Sequence, residues 1–374
     1  MAGAAHAEDD WCVRHTGGTT GIPKGIRMAH GPYRQMLVQR AGSLPPGARP
    51  RFLACTPLAH MAGILADIAL LAGGTVVLRP GFDPHDVLAT LGREHITDIW
   101  LLPPLLYELL DHPDLPTADA SSLRRIIYGG TAVSAQRLRQ AAEAFGPVLH
   151  GSYGQTEAGC ITEVLPHEHA ITGQGGRATA GRAVPGVDIE TRGADGAALA
   201  AGESGEIHVR TPMVMSGYWR RPELTAEVLR DGWVRTGDVG YLDTEGYLYL
   251  VDRLKDMVIV AGGHVYPAEL EQLLLTHPAV AQCAAFGVLR PDETEEVHVA
   301  VVPVAGQRVG RELIREFVTE RKGAMYAPST VHIVDGIPLT HVGKPDKKLL
   351  RMTLGTRWHP EGCRPGTAIR RSPA

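Results

Sequence analysis

Residues 16–25 read Thr16-Gly17-Gly18-Thr19-Thr20-Gly21-Ile22-Pro23-Lys24-Gly25, directly after a short apolar run at 11–15. Glycines let the backbone approach an anion closely, and successive amides can form a nest for it. Three threonine hydroxyls and one ammonium complete the equipment for a polyphosphate. The pattern is not a Walker A loop: Pro23 stands where the second glycine is required, and Lys24 is followed by Gly25 rather than Ser or Thr. It is not the dinucleotide-binding G-x-G-x-x-G either. The competing reading is a glycine-rich surface turn. Lysine scarcity gives Lys24 weight. Only Lys24, Lys255, Lys322, Lys344, Lys347 and Lys348 are lysines among 37 basic residues. Lys is a compact point charge and Arg a permanently charged fork, so each lysine is a candidate for work that Arg cannot do.

Working outward from this loop, short β-rich runs at 11–15, 52–56, 75–78, 98–102, 125–128 and 148–152 alternate with helical stretches at 31–40, 63–72, 84–94, 103–111 and 134–145. Ser134 is a plausible N-cap of the last helix. Strand–helix alternation at this spacing predicts an α/β subdomain built on a parallel sheet. From about Gly173 glycine, proline and alternating strands (187–191, 205–210, 246–251) predict a β-rich subdomain. After Asp252 the texture becomes α+β, with helices at 267–276 and 310–321 and strands at 280–288, 297–303 and 330–334. The expected division is a large domain at 1–251, a small mobile domain at 252–352 and a disordered tail at 353–374.

The chain has 374 residues, enough for two or three domains, with 37 basic and 41 acidic residues and a net charge of −4. That balance disfavours a sequence-independent nucleic-acid binder, which needs a basic footprint. Hydrophobic residues at 44% and charged residues at 21% are globular values. Cys12, Cys55, Cys160, Cys283 and Cys363 form no C-x-x-C, so neither a zinc site nor a disulfide framework is expected, and a reducing cytoplasm fits. The first eleven residues carry Glu8, Asp9 and Asp10 and do not read as a signal peptide. The most apolar stretch, 61–78, contains Asp67 and is broken by Gly73-Gly74, so it reads as a buried helix and a strand rather than a membrane span.

The loop resembles the signature of the adenylate-forming superfamily, which comprises acyl- and aryl-CoA synthetases, peptide-synthetase adenylation domains and luciferases. Further motifs follow in the family's order. Pro57-Leu58-Ala59-His60-Met61-Ala62-Gly63 resembles the family's P-x-x-H-x-x-G, which implies that His60 borders the acyl pocket and gates carboxylate entry. Alone, His60 reads as a core or capping histidine. Tyr128-Gly129-Gly130-Thr131-Ala132 is similar to the turn that contacts adenine. Gly151-Ser152-Tyr153-Gly154-Gln155-Thr156-Glu157 resembles the more specific Y-G-x-T-E. Tyr153 offers a flat face for a purine, Thr156 a hydroxyl near the α-phosphate, and Glu157 an oxygen ligand for Mg²⁺. Arg235-Thr236-Gly237-Asp238 resembles T-G-D, whose carboxylate would accept the ribose hydroxyls. Asp252-Arg253-Leu254-Lys255-Asp256, Gly262-Gly263 and Tyr266-Pro267 with Glu269-Leu270-Glu271 look like the interdomain hinge, with Arg253 reaching the ribose and Lys255 at the pivot. In Pro338-Leu339-Thr340-His341-Val342-Gly343-Lys344 the resemblance makes Lys344 the catalytic lysine.

The implied chemistry is attack of a carboxylate on the α-phosphorus of ATP, with Mg²⁺, followed by transfer to coenzyme A or to a carrier protein's phosphopantetheine. The small domain would turn about the hinge to replace the Lys344 face with the Gly262-Gly263 face. Two departures stand out. Gly17 replaces the commoner Ser. The resemblance also implies a further α/β subdomain ahead of the loop, most of which lies outside this sequence, so a homodimer or a partner supplying that part is expected. An amine or an unusual oxyanion such as nitrite is an alternative to the thiol and acid, and a non-catalytic nucleotide-binding half of a split enzyme is the reading from another class. A hydrolase is disfavoured by the absence of G-x-S-x-G. Ala59, Met61, Cys160 and Ile161 leave room for a fatty or aromatic acid larger than acetate.

Overall fold

The alternating runs assemble into layered sheets. The structure is a computed structural model and describes residues 5–16, 24–131, 133–254, 256–260, 263–290, 294–304, 306–339 and 345–355. The first part of the chain runs β1 (Asp10–Thr16), β2 (Lys24–Ala29), α1 (His30–Gly42), β3 (Arg51–Ala54), α2 (Met61–Leu71), β4 (Thr75–Leu78), α3 (Pro84–Arg93), β5 (Asp98–Leu101), α4 (Pro103–Leu110), β6 (Arg125–Gly129), α5 (Ala135–Phe145), β7 (Leu149–Gln155), β8 (Gly159–Val164) and β9 (Arg182–Ala183). A seven-stranded sheet takes the order β4-β3-β5-β6-β7-β8-β9. Strands β4 through β7 pair in parallel, and β8 and β9 close the sheet antiparallel.

Pleating sends alternate residues to opposite faces. One face presents Leu53, Ile99, Leu101, Ile126, Tyr128 and Leu149 to helices α3, α4 and α5, forming the largest buried cluster. The other face carries Phe52, Ala54, Trp100 and Ile127, and packs on the alanine side of α2. Local signals agree with this placement. Ser134 Oγ accepts the amide of Arg137 at the start of α5, and Asp83 caps α3 through the amide of Asp86. The buried face of α2 is Ala62, Ala66, Ile68 and Ala69, whereas Leu70 and Leu71 are exposed. No helix of the described residues is long and apolar enough to cross a membrane.

The chain continues through β10 (Asp188–Arg192), β11 (Gly205–Arg210), β12 (Gly217–Tyr218), α6 (Pro222–Val228), β13 (Leu229–Arg230), β14 (Trp233–Leu242) and β15 (Leu248–Arg253). These make the β-rich subdomain, a sheet of order β10-β11-β14-β13 with β15 on β14. Strand β12 instead joins β1 and β2 in a three-stranded sheet. The small α+β part contains β16 (Val258–Val260), β17 (Gly263–Val265), α7 (Pro267–Leu274), β18 (Val280–Leu289), β19 (Glu295–Pro303), α8 (Arg311–Lys322), β20 (Thr330–Ile333) and α9 (Lys347–Leu354). Its sheet β18-β19-β20 shares a core with α7 and α8.

Two elements near the expected division differ from the sequence reading. Strand β15 runs to Arg253, so residue 252 falls inside a strand paired with β14. Helix α9 extends to Leu354, two residues into the expected tail, because Asp346 caps it and Leu350 and Leu354 pack on Phe286 and Ala300. Most of the tail lies outside the described residues. Arg177 ties the parts together: it is ion-paired with Glu269 of α7 at 2.7 Å and donates to the Leu250 carbonyl.

Candidate active site

Strands β1 and β2 form a hairpin in which Thr16 lies opposite Lys24. The glycine-rich loop therefore has both ends fixed by strand pairing, while Gly17, Gly18, Thr19, Thr20 and Gly21 themselves lie outside the described residues. Lys24 opens β2, and its ammonium sits over the Tyr218 ring, 5.4 Å from the centroid. Tyr218 comes from β12, which pairs with β2. The Tyr218 hydroxyl donates to Glu157 Oε1 at 2.9 Å. Burial and the neighbouring carboxylate together push that phenol well above its ordinary pKa, so it remains a donor. The Glu157 carbonyl accepts the Met215 amide at 2.9 Å, which fixes the turn after β7. Tyr218 was missed by the sequence reading; its available signal was the Gly217-Tyr218-Trp219 aromatic pair in a chain only 5% aromatic.

The second focus is Asp238, buried near the centre of β14. Its Oδ2 accepts the Tyr153 hydroxyl and the Gln155 side-chain amide, each at 2.8 Å. Its Oδ1 pairs with Arg253 Nε at 3.0 Å. Gln155 also donates to the Thr236 carbonyl, and the Asp238 amide donates to Thr236 Oγ1. Gly237 makes this cluster possible: its φ of +68° bends the strand where a side chain would be strained. Burial, reinforced by Asp238, holds the Tyr153 phenol protonated. Tyr153, expected as a flat ring, thus also braces the Asp238 carboxylate. Gln155 is a further residue the motif reading left without a role.

Gly129, Gly130 and Thr131 leave β6 beside β7, so close that a Cβ on Gly129 would collide with the Ser152 carbonyl oxygen. His60 occupies the N-cap position of α2. These residues converge: Lys24, His60, Gly129, Gly130, Thr131, Tyr153, Gly154, Thr156, Glu157, Asp238 and Arg253 line one cavity of about 2030 Å³. Lys255, Gly262 and Lys344 lie outside the described residues. Gly263 opens β17 against Met325 and is not among the residues lining the cavity.

At the junction of β15, α7 and α9, Asp252 accepts the amides of Arg253 and Ala268 at 2.6 and 2.8 Å. Burial raises its carboxyl to about 6 against the pull of Lys347. Lys347 itself is ion-paired with Glu271 at 2.8 Å.

A family profile of AMP-binding enzymes matches residues 2–219, and one of the AMP-binding enzyme C-terminal domain matches residues 269–344. The chain belongs to the AMP-binding enzyme family. The chain is 38% identical over 351 residues to a medium/long-chain-fatty-acid–CoA ligase of Mycobacterium tuberculosis, covering 91% of the chain and 60% of that relative. Among solved structures it resembles an amide bond synthetase from Marinactinospora thermotolerans, with 41% identity, a TM-score of 0.83, and 91% and 69% of the two chains covered. It also resembles an O-succinylbenzoate coenzyme A synthetase from Bacillus subtilis in complex with ATP and magnesium ion, with 30% identity, a TM-score of 0.80, and 93% and 71% covered. The chain thus spans between three-fifths and about seven-tenths of these proteins.

Proposed function

We propose that this AMP-binding enzyme adenylates a carboxylic acid with ATP and passes the acyl group to a thiol, coenzyme A in the first instance or a carrier-protein phosphopantetheine. The observation that carries the reading is the convergence on one cavity of a lysine at the end of a glycine-rich loop, a turn carboxylate and a buried carboxylate–arginine pair. A carboxylate does not react with a thiol at neutral pH, because oxide would have to leave. Attack of a carboxylate oxygen on the α-phosphorus forms the acyl–phosphate bond and releases pyrophosphate. The thiolate sulfur then attacks the acyl carbon, and AMP leaves with the bond electrons.

Little covalent work falls to the protein in the first step; positioning and charge neutralisation dominate. Lys24 and the loop would hold the outer phosphates, Gly129-Gly130-Thr131 and Tyr153 the adenine, and Asp238 with Arg253 the ribose. Thr156 would contact the α-phosphate, His60 would border the acid, and Lys344 would bridge acid and nucleotide. Glu157 fits a Mg²⁺ site: a hard carboxylate borders the cavity with Oε1 oriented by Tyr218. When bound, that ion would neutralise phosphate charge. The small part at 252–352 would turn about Lys255 between the half-reactions, exchanging Lys344 for the Gly262-Gly263 face.

ATP–pyrophosphate exchange with a panel of acids tests the first step, and coenzyme A addition the second. Exchange followed by thioester formation is expected; no exchange with any acid overturns the reading in favour of a nucleotide-binding partner without turnover. Transfer to an amine is the second reading, favoured by the 41% identity to an amide bond synthetase. Amide in place of thioester, when both acceptors are supplied, selects it.

A further inference from the structure

The cavity extends well past the nucleotide residues, along the sheet face that α2 leaves open. Parallel register puts Trp100, Ile127 and His150 at one level, with Gly129 and Ser152 one level nearer the nucleotide end. The antiparallel partner of Ser152 is Glu163. Asp98 and Arg125 form the level beyond His150. All of these line the cavity, with Met36 and Arg40 of α1 and Ile64 and Leu65 of α2.

The lining is mixed. Met36, Ile64 and Leu65 are apolar, and Trp100 and Ile127 add apolar surface at the level of His150 itself. Most of the polar groups among them are already engaged. Arg125 pairs with Asp98. Arg40 pairs with Glu163 at 2.7 Å. His150 is different, because its imidazole makes no hydrogen bond to a described residue. Burial and the Arg125 guanidinium hold its pKa below the ordinary histidine value, so the ring presents one N–H and one lone pair. At a strand rise of about 3.3 Å per residue, His150 stands roughly 7 Å beyond Ser152.

We propose that this channel receives an elongated apolar carboxylic acid whose far end carries a hydrogen-bonding group, and that His150 reads that group. The inference rests on the adenylation reading and adds the substrate class to it. A saturated chain or unsubstituted ring reaching the His150 level leaves a half-buried imidazole unpaired, whereas a hydroxyl, carbonyl or ring N–H satisfies it.

The test compares 6-hydroxy-2-naphthoate with 6-methyl-2-naphthoate in ATP–pyrophosphate exchange. The unaltered enzyme is expected to favour the hydroxy acid by about tenfold in kcat/KM. His150→Leu should abolish or reverse that preference through the KM of the hydroxy acid, leaving the KM for ATP in place. His150→Gln, which keeps a donor and an acceptor, should retain the preference. Equal use of both acids by the unaltered enzyme overturns the inference while leaving adenylation standing, and so does an equal loss for both acids in His150→Leu. Silence with every acid overturns the adenylation reading and this inference with it.

Discussion

Asp238 and Arg253 face each other across β14 and β15 in strand register, and their side chains meet at 3.0 Å. The carboxylate is buried and the guanidinium partly exposed at the cavity wall. The pair is therefore preset by backbone pairing before any nucleotide arrives. Removing the cation leaves a buried carboxylate held, among the described residues, by Tyr153 and Gln155. Arg253→Met is expected to weaken ATP binding by about tenfold, the loss of one charge-assisted hydrogen bond. Calorimetric titration with ATP reads this directly; an unaltered Kd removes Arg253 from the nucleotide site.

Tyr218 links Lys24 to Glu157 through its ring and its hydroxyl. Tyr218→Phe keeps the ring beneath Lys24 and deletes only the donor to Glu157. The expected result is a fall in pyrophosphate exchange of about fivefold to tenfold, with the KM for the acid unchanged. A rise in acid KM with kcat intact would move Tyr218 from orienting Glu157 to binding the acid.

The sequence reading reached the parallel sheet because short apolar strands and amphipathic helices alternate with punctuation at each end. It passed over β14, where Thr236-Gly237-Asp238 reads as a turn; the strand bends at Gly237 and continues. It passed over β2, whose alternation of buried Ile26 and Met28 is masked by the adjoining glycine-rich loop. Most of the described motif residues line one cavity, but their mutual contacts were not legible in the sequence. Tyr153 and Asp238 are 85 residues apart and Glu157 and Tyr218 are 61 apart. Such contacts depend on how the sheets pack, which no local pattern encodes. His150 carries no motif and enters only through strand register.

Lys344 belongs to a motif rather than to the described geometry, so kinetics must decide its role. A cation acting only in the transition state for adenylate formation should matter in one half-reaction. Lys344→Ala is expected to lower pyrophosphate exchange by about a thousandfold. Attack of thiol on preformed acyl-adenylate should stay within about threefold of the unaltered enzyme. Equal loss in both half-reactions would contradict the assignment.

Asp252 makes stability at the junction depend on pH. Its carboxyl stands at about 6 in the folded chain, raised chiefly by burial, against an ordinary 3.8. Between those values the folded chain keeps a proton that the unfolded chain has released. Stability contributed by this group therefore falls as pH rises from about 4 to about 6, and the cost persists in full above that range. The shift corresponds to roughly 2–3 kcal/mol. Lys347, Glu271 and the amides of Arg253 and Ala268 face the same site, so the variant should preserve shape. Asp252→Asn lacks the titration, although it gives up one acceptor oxygen. Its thermal midpoint, measured from pH 4 to 7, should decline less with rising pH than that of the unaltered protein. The same slope in both proteins would place the acid-range dependence elsewhere, whatever the absolute offset between them.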